Sequence, residues 1–384
     1  MAYEVSVVKC NSYSQYEVDR AVRKSIELIG SLSGIIKKND RVLLKPNLLS
    51  SDNPEKAVTT HPAVVRAVAK LFLEVGCKVV IGDSPGGRNT FSSYNSLLEK
   101  TGIKEVAQEL GIETALFDKE TIDVSGGDTV FYKKFNIARV VNDADVIVTL
   151  PKLKTHEFTY FTGAVKIVYG CIPGLQKTGY HASAGKSPET FSDMLVDLFV
   201  TINPKLSIMD AIVGMDGDGP SAGNPKNIGL ILASKSSTAL DFVAASIVGM
   251  NPLSIPTIRI AARRKIGPTS LDEIKILGES IDNVIVKDFK PPSTSVVSRI
   301  TPYLIKIIGK SFTAKPLINE SKCVRCRKCV EVCPTRALTI KNKEYPKYDY
   351  SKCIRCYCCH EICPQKAIYI KRALISKLMD RPRR

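Results

Sequence analysis

The chain has 384 residues, long for one domain and comfortable for two. Hydrophobic residues make up 44% and charged residues 24%, an ordinary globular balance that allows a sizeable core and argues against disorder. The net charge of +17 is uneven: residues 311–384 hold 18 Lys and Arg against 6 Asp and Glu, leaving +5 for the first 310.

The N-terminal MAYEVSVVKC alternates like a strand, so Tyr3–Lys9 is read as one, and it lacks the charge-then-apolar pattern of a secretory signal. No run is long enough to span a membrane, and a cytoplasmic protein is expected. From Tyr16 to Leu32, Val18, Val22, Ile26 and Ile29 recur at helical spacing. Arg41–Lys45 suits a buried strand, and Lys45-Pro46-Asn47 leaves it where ligands bind in α/β sheets, although Pro and Asn also favour a plain turn. His61–Gly76 reads as a helix: Thr60 can cap it, Pro62 suits its first turn and Gly76 ends it. Thr59-Thr60-His61-Pro62 thus marks a helix N-terminus, either an anion site or a simple cap.

Cys77–Ile81 is a second buried strand, followed by Gly82-Asp83-Ser84-Pro85-Gly86-Gly87. These glycines let the backbone approach a phosphate or cofactor, though the segment is neither G-x-G-x-x-G nor a Walker loop. Asp145–Leu150 is another strand, and Pro151-Lys152-Leu153-Lys154-Thr155-His156 is read as the loop after it, with Gly163, Lys166 and Gly170 beyond. A histidine, several lysines and glycines after one strand end make the best catalytic candidate outside the cysteines. His156 would be the acid–base, and Lys154 and Lys166 the anion-binding or imine-forming amines. Leu206–Val213 reads as a strand and Ser237–Val248 as a helix. Asp216-Gly217-Asp218-Gly219 opens like a calcium loop, but Pro220 breaks the frame and a polar turn is expected. Asp210 and Asp241, near strand and helix edges, are candidates to face the same cleft. Short apolar strands between helices predict an α/β fold, a mostly parallel sheet with helices on both faces, over residues 1–290.

KPPSTS from Lys290 marks the boundary, with a linker or helix over 291–314, a small α+β ferredoxin-like domain over 315–371 and a basic tail over 372–384. KCVRCRKCVEVCPTRALTI from Lys322 recurs as KCIRCYCCHEICPQKAIYI from Lys352. Each copy carries C-x2-C-x2-C-x3-C-P, a run that wraps a cubane and lends its fourth cysteine to the other one. Two [4Fe–4S] clusters are therefore expected: Cys323, Cys326, Cys329 and Cys363 around the first, Cys353, Cys356, Cys359 and Cys333 around the second. A zinc site needs four ligands, and two complete runs with trailing prolines fit a cubane pair better. Cys358 breaks the repeat and reads as a small packed thiol or an alternative ligand. Lys and Arg near anionic clusters account for the basic C-terminal charge without nucleic acid. A ferredoxin or flavoprotein with an acidic face is the expected partner.

The cysteine frame resembles the two-cluster bacterial ferredoxins over roughly 315–371. KPN, TTHP, GDSPGG, PKLKTH with G-x-x-K, and the DGDG region, in that order, resemble the family called domain of unknown function 362, over most of residues 1–290. Members of that family often end in such a ferredoxin, and the resemblance implies a fold and an iron–sulfur association but no assigned activity. A looser resemblance is to the lactate racemases with their nickel-pincer cofactor, in which His156 and Lys166 would match a Pro-His and a glycine-rich Lys. That family's acidic motif has no clear counterpart here.

The leading expectation is a ferredoxin-type oxidoreductase whose clusters relay electrons to an anionic substrate or organic cofactor in the large domain. Lys45, Asn47, His61, Gly82, Asp83, Gly86 and Gly87 are the candidate binding residues. The alternatives are a non-enzymatic electron carrier or docking subunit, and a redox-neutral racemase or isomerase with structural clusters.

Overall fold

The computed structural model describes residues 2–32, 34–297, 314–342 and 344–371. Ser293–Val297 forms a short helix; the rest of the expected linker, 298–313, and the basic tail, 372–384, lie outside the described residues. Strands β1 (Tyr3–Lys9), β2 (Arg41–Pro46), β3 (Lys78–Asp83) and β4 (Glu113–Leu116) precede a separate hairpin of β5 (Thr121–Val124) and β6 (Phe135–Ala138). Then come β7 (Val146–Leu150), β8 (Lys152–His156), β9 (Tyr160–Thr162), the long strands β10 (Leu206–Asp216) and β11 (Asn224–Ser234), and β12 (Ile274–Gly278).

One mixed sheet runs in the order β12-β1-β11-β10-β7-β2-β3-β4, with β8 on β10 and β9 on β8. From β10 through β7, β2 and β3 to β4 every pairing is parallel. The C-terminal ends of β2, β3 and β7 therefore open on one side, where crossover loops form a crevice. Only β11, antiparallel to β1 and β10, and β9 on β8 depart from this direction.

Alternation along the buried strands separates two cores. Val42 and Leu44 of β2 face the helices Gln15–Leu28 and Pro62–Glu74, whereas Leu43 faces Pro188–Ile202 and the β5–β6 hairpin. A third apolar cluster packs Ser237–Ile247 against β1, β10 and β11. Helices on both faces explain why the central strands read as continuous apolar runs.

The structure corrects two sequence readings. The N-cap of Pro62–Glu74 is His61, whose Nδ1 accepts the Ala63 N–H at 3.2 Å. Thr60 instead donates its hydroxyl to Leu150 O at 2.6 Å and accepts the Asn47 N–H at 2.9 Å, tying the end of β7 to the loop after β2. Second, Lys152–His156 is a buried strand and not a loop. Its lysines disguised it, since lysine is almost never buried without a partner. Here Lys152 has partners: Asp210 Oδ2 at 2.8 Å and Tyr13 Oη at 2.7 Å.

Asp210→Ala would leave the Lys152 ammonium buried without its counter-charge, at a cost of about 3–5 kcal/mol. Denaturant unfolding of the large region should show this loss, and Asp210→Asn should lose less.

Candidate redox site at the strand ends

In the cysteine-rich region β13 (Lys315–Ile318) pairs antiparallel with β16 (Ile368–Lys371), and β14 (Leu338–Thr339) with β15 (Lys347–Tyr348). The sequence repeat extends to the backbone. Arg325, Arg327 and Arg336 have φ of 55°, 67° and 52°, and their counterparts Arg355, Tyr357 and Lys366 have 57°, 62° and 48°. These left-handed residues curl each run around a hollow. Cys323, Cys326, Cys329 and Cys363 line one; Cys353, Cys356, Cys359 and Cys333 line the other. The fourth cysteine of each run thus stands in the other run's cage.

Each all-thiol cage suits an iron–sulfur cluster. Burial, followed by the neighbouring sulfurs Cys326, Cys363 and Cys323, pushes the Cys329 thiol up to about 12, a cost that ligation to cationic iron would relieve. The Ala337 N–H donates to Cys333 Sγ at 3.1 Å and the Ala367 N–H to Cys363 Sγ at 3.2 Å. Tyr348 Oη lies 3.3 Å from Cys359 Sγ. Such donors stabilise anionic sulfur. The two cages differ in exposure: Cys326 is exposed, whereas Cys356 and Cys359 are buried.

The second cage faces the crevice. The helix Cys358–Glu361, which carries Cys359, walls a cavity over the ends of β2 and β3. The large region's wall is basic, with Lys45, Lys166 and Lys177; the opposite wall includes Cys358, Glu361 and Ile362. Lys45 Nζ bonds Asp83 Oδ1 at 2.7 Å, and Asp83 Oδ2 accepts the Leu48 N–H at 2.8 Å. Gly170 permits this pair, because a Cβ there would sit 2.1 Å from Asp83 Oδ1 and 2.5 Å from Lys45 Nζ. Lys177 Nζ bonds Ser84 O at 2.8 Å, and burial lowers its pKa to about 8. Lys166 Nζ lies 6.0 Å from the Tyr169 ring centre; burial pulls its pKa down and the Glu361 charge opposes that.

Asn47, Gly86 and Gly87 also line the cavity. Gly82 packs beneath it, where a Cβ would meet Phe117 at 2.2 Å. Lys154 is turned away: its ammonium bonds Val58 O at 2.6 Å, with Asn47 Oδ1 and Pro220 O at 3.2 Å. His61 stacks on Tyr13 at 3.6 Å, outside the cavity lining. His156 stands behind the cavity wall. Its Nδ1 accepts the Phe158 N–H at 3.0 Å, which leaves the ring proton on Nε2, 3.0 Å from Glu361 Oε1. The two atoms are close without the alignment of a full hydrogen bond. Burial brings His156 down to about 4, and Glu361 stands at about 2, where His156 and Lys166 outweigh its own burial, so a neutral imidazole faces a carboxylate. Asp210 and Asp241 lie elsewhere; Asp241 accepts the N–H groups of Ala164 and Val165 at 2.6 and 3.0 Å.

The sequence did not single out Lys177, His181 or Glu361; Cys358, read as a packed thiol or an alternative ligand, lines the cavity. The only available signal was the symmetry break: Cys358 replaces the repeat's Lys328. Among the described residues, the buried Thr162 Oγ1 and His181 Nδ1 at the cavity have no hydrogen-bond partner, as expected of a site shaped for a polar ligand.

The profile described as "Domain of unknown function (DUF362)" matches residues 42–246. The chain belongs to the DUF362 family. The 4Fe-4S binding domain profile matches 316–339 and 346–369, so this member carries an iron–sulfur region of ferredoxin type. A thylakoid-associated protein of Synechocystis sp. is 36% identical over 276 residues, 71% of this chain and 83% of that protein. The ketoisovalerate oxidoreductase subunit VorD of Pyrococcus furiosus is 43% identical over 47 residues, 12% of this chain and 45% of the subunit. Among solved structures, the lactate racemase apoprotein of Thermoanaerobacterium thermosaccharolyticum has a TM-score of 0.41 at 15% identity, covering 61% of this chain and 54% of that one. A Thermotoga maritima protein has a TM-score of 0.37 at 14% identity, covering 60% and 57%. This DUF362 chain thus spans little more than half the length of those structures. No helix among its described residues is long and apolar enough to cross a membrane.

Two outcomes test this geometry. Cys333→Ala should damage the cluster of the second cage and spare the first, read by the electron paramagnetic resonance of the reduced protein; loss confined to the first would refute the crossed cages. His61 has its pKa lowered from 6.5 to about 4, chiefly by burial. Its contribution to stability is therefore complete above pH 6.5 and lost as pH falls toward 4. His61→Asn, which keeps a capping side chain, should flatten the fall of the unfolding midpoint across that window.

Proposed function

We propose that this protein is a ferredoxin-type oxidoreductase in which two [4Fe–4S] clusters relay electrons to an anionic ligand in the cavity between its two regions. The observation behind this reading is the position of the helix Cys358–Glu361. It carries a second-cage ligand on one side and walls a lysine-lined cavity on the other. Bound clusters supply one-electron transfer over a wide range of potentials. The chain's own residues do the rest. Lys166 and Lys177 bind the ligand's negative charge, with Lys45 held in place by Asp83. Gly86 and Gly87 let its body approach the backbone, and Ile362 and Val332 exclude water from the inner wall. His156, with its Nε2 3.0 Å from a Glu361 oxygen, stands behind that carboxylate at the cavity wall.

Electrons would enter at the first cage, where exposed Lys322, Arg325, Arg327 and Lys328 suit a redox partner with an acidic face. The same exposure favours a second reading, an electron carrier that passes charge between proteins and uses the cavity for docking.

Anaerobically purified protein should contain about eight irons and eight acid-labile sulfides; zinc without sulfide would overturn the cluster assignment. Mass spectrometry of small molecules released on denaturation should find an acid in the native protein. Lys166→Met should lower its occupancy at least tenfold with the iron content unchanged. Intact, reducible clusters with no released acid would decide for the carrier.

A further inference from the structure

One cluster ligand and two side chains that the relay leaves unused meet at the inner end of the cavity. His181, Cys356 and Cys358 each present a donor atom, and these atoms all lie within 4.8 Å of one another. His181 belongs to the helix Gln176–Ala184 of the large region; the thiols belong to the second cysteine run. The grouping exists only because the two regions are docked.

His181 is 5% exposed, and among the described residues its Nδ1 has no hydrogen-bond partner. The ring stacks on Phe191 at 4.1 Å and meets Tyr169 edge-on at 5.6 Å, so it is held and not free to seek one. A buried imidazole nitrogen left unpaired is costly unless something absent from the polypeptide uses it. Cys358, meanwhile, is surplus to the four-thiol cage and lines the cavity.

We propose that His181, Cys356 and Cys358 hold a single thiophilic divalent ion, such as Zn²⁺ or Ni²⁺, beside the second cluster. The Cys356 sulfur would be shared between ion and cluster, and the cavity would supply the open coordination position. The proposal rests on the second cage holding its cluster and deepens the reading of the cavity. One imidazole and two thiolates are a borderline-to-soft donor set, which favours zinc, nickel or copper over magnesium or calcium. Donors around a tetrahedral ion stand roughly 3.6 Å apart at metal–ligand distances of about 2.0–2.3 Å, so this set needs only about an ångström of closure. Three protein ligands with a fourth position facing a cavity is the arrangement of a reactive site, not a structural one. Lys166 and Lys177 line that same cavity. An anionic ligand held by these lysines would reach the ion with an oxygen or sulfur donor, and the shared sulfur would join the ion to the electron relay.

The test uses the full chain with both clusters in place. Elemental analysis after titration with Zn²⁺ or Ni²⁺ and removal of free ion should find about one bound ion beyond the cluster iron. X-ray absorption at that metal's edge should show mixed nitrogen and sulfur ligation. His181→Ala and Cys358→Ala should each weaken binding at least tenfold while iron and sulfide stay at the wild-type level. His181→Gln and Cys358→Ser serve if either alanine variant fails to fold. An ion whose affinity neither substitution changes, or the absence of any extra ion, overturns the proposal. So does a shift in the second cluster's potential in His181→Ala with no ion in the parent protein, which would make His181 a hydrogen-bond donor to Cys356. A protein lacking clusters or a released acid would fail the relay reading instead, and its metal content is measured separately.

Discussion

A carboxylate from the cysteine-rich region compensates a basic crevice in the large one. Glu361 stands 3.0 Å from His156, and its charge opposes the desolvation of Lys166 and Lys154. Charges removed from water need partners, and the remaining lysines at the strand ends find theirs locally, in Asp83 and Asp210. Glu361 therefore joins the two regions at the point where the cavity forms. The contacts around it follow the same seam: Ser221 Oγ donates to Glu361 O at 3.2 Å, and Lys366 lies 3.3 Å from Asp52.

The parallel sheet makes that seam useful. Loops after β2 and β3 lie side by side because their strands do, and Thr60 fastens the first of them to the end of β7. Rigid strands thus position Lys45 and Asp83 at the floor of the cavity. An interdomain cavity lined by few, well-held polar groups within apolar walls is the usual form of a small-molecule site.

The cysteine cages were legible in the sequence because their geometry is local: spacing within a run and a duplication fix all eight positions, and the left-handed residues recur with them. The α/β class was legible too, since doubly covered strands leave unbroken apolar runs. β8 was not, because its two lysines are buried by partners that sequence cannot supply: Asp210 for Lys152 and backbone carbonyls for Lys154. Lys45 and Lys166, candidates from their place after strand ends, line the cavity, as do Lys177, His181 and Glu361, which the sequence did not mark because their grouping depends on docking. The Thr59–Pro62 segment read as either an anion site or a simple cap, and the structure shows the cap, made by His61, which also stacks on Tyr13.

The duplication ends in two unlike halves. Where the first repeat has Arg327, Lys328 and Val330, the second has Tyr357, Cys358 and His360, and Glu331 is exposed where Glu361 is largely covered. Identical cages in unequal surroundings do not share one reduction potential, because solvent and nearby charge set it. Two hollows built on one duplicated run thus end in different media, one beside solvent and one beneath the large region, and the difference is written in a few substitutions on the face that the large region covers.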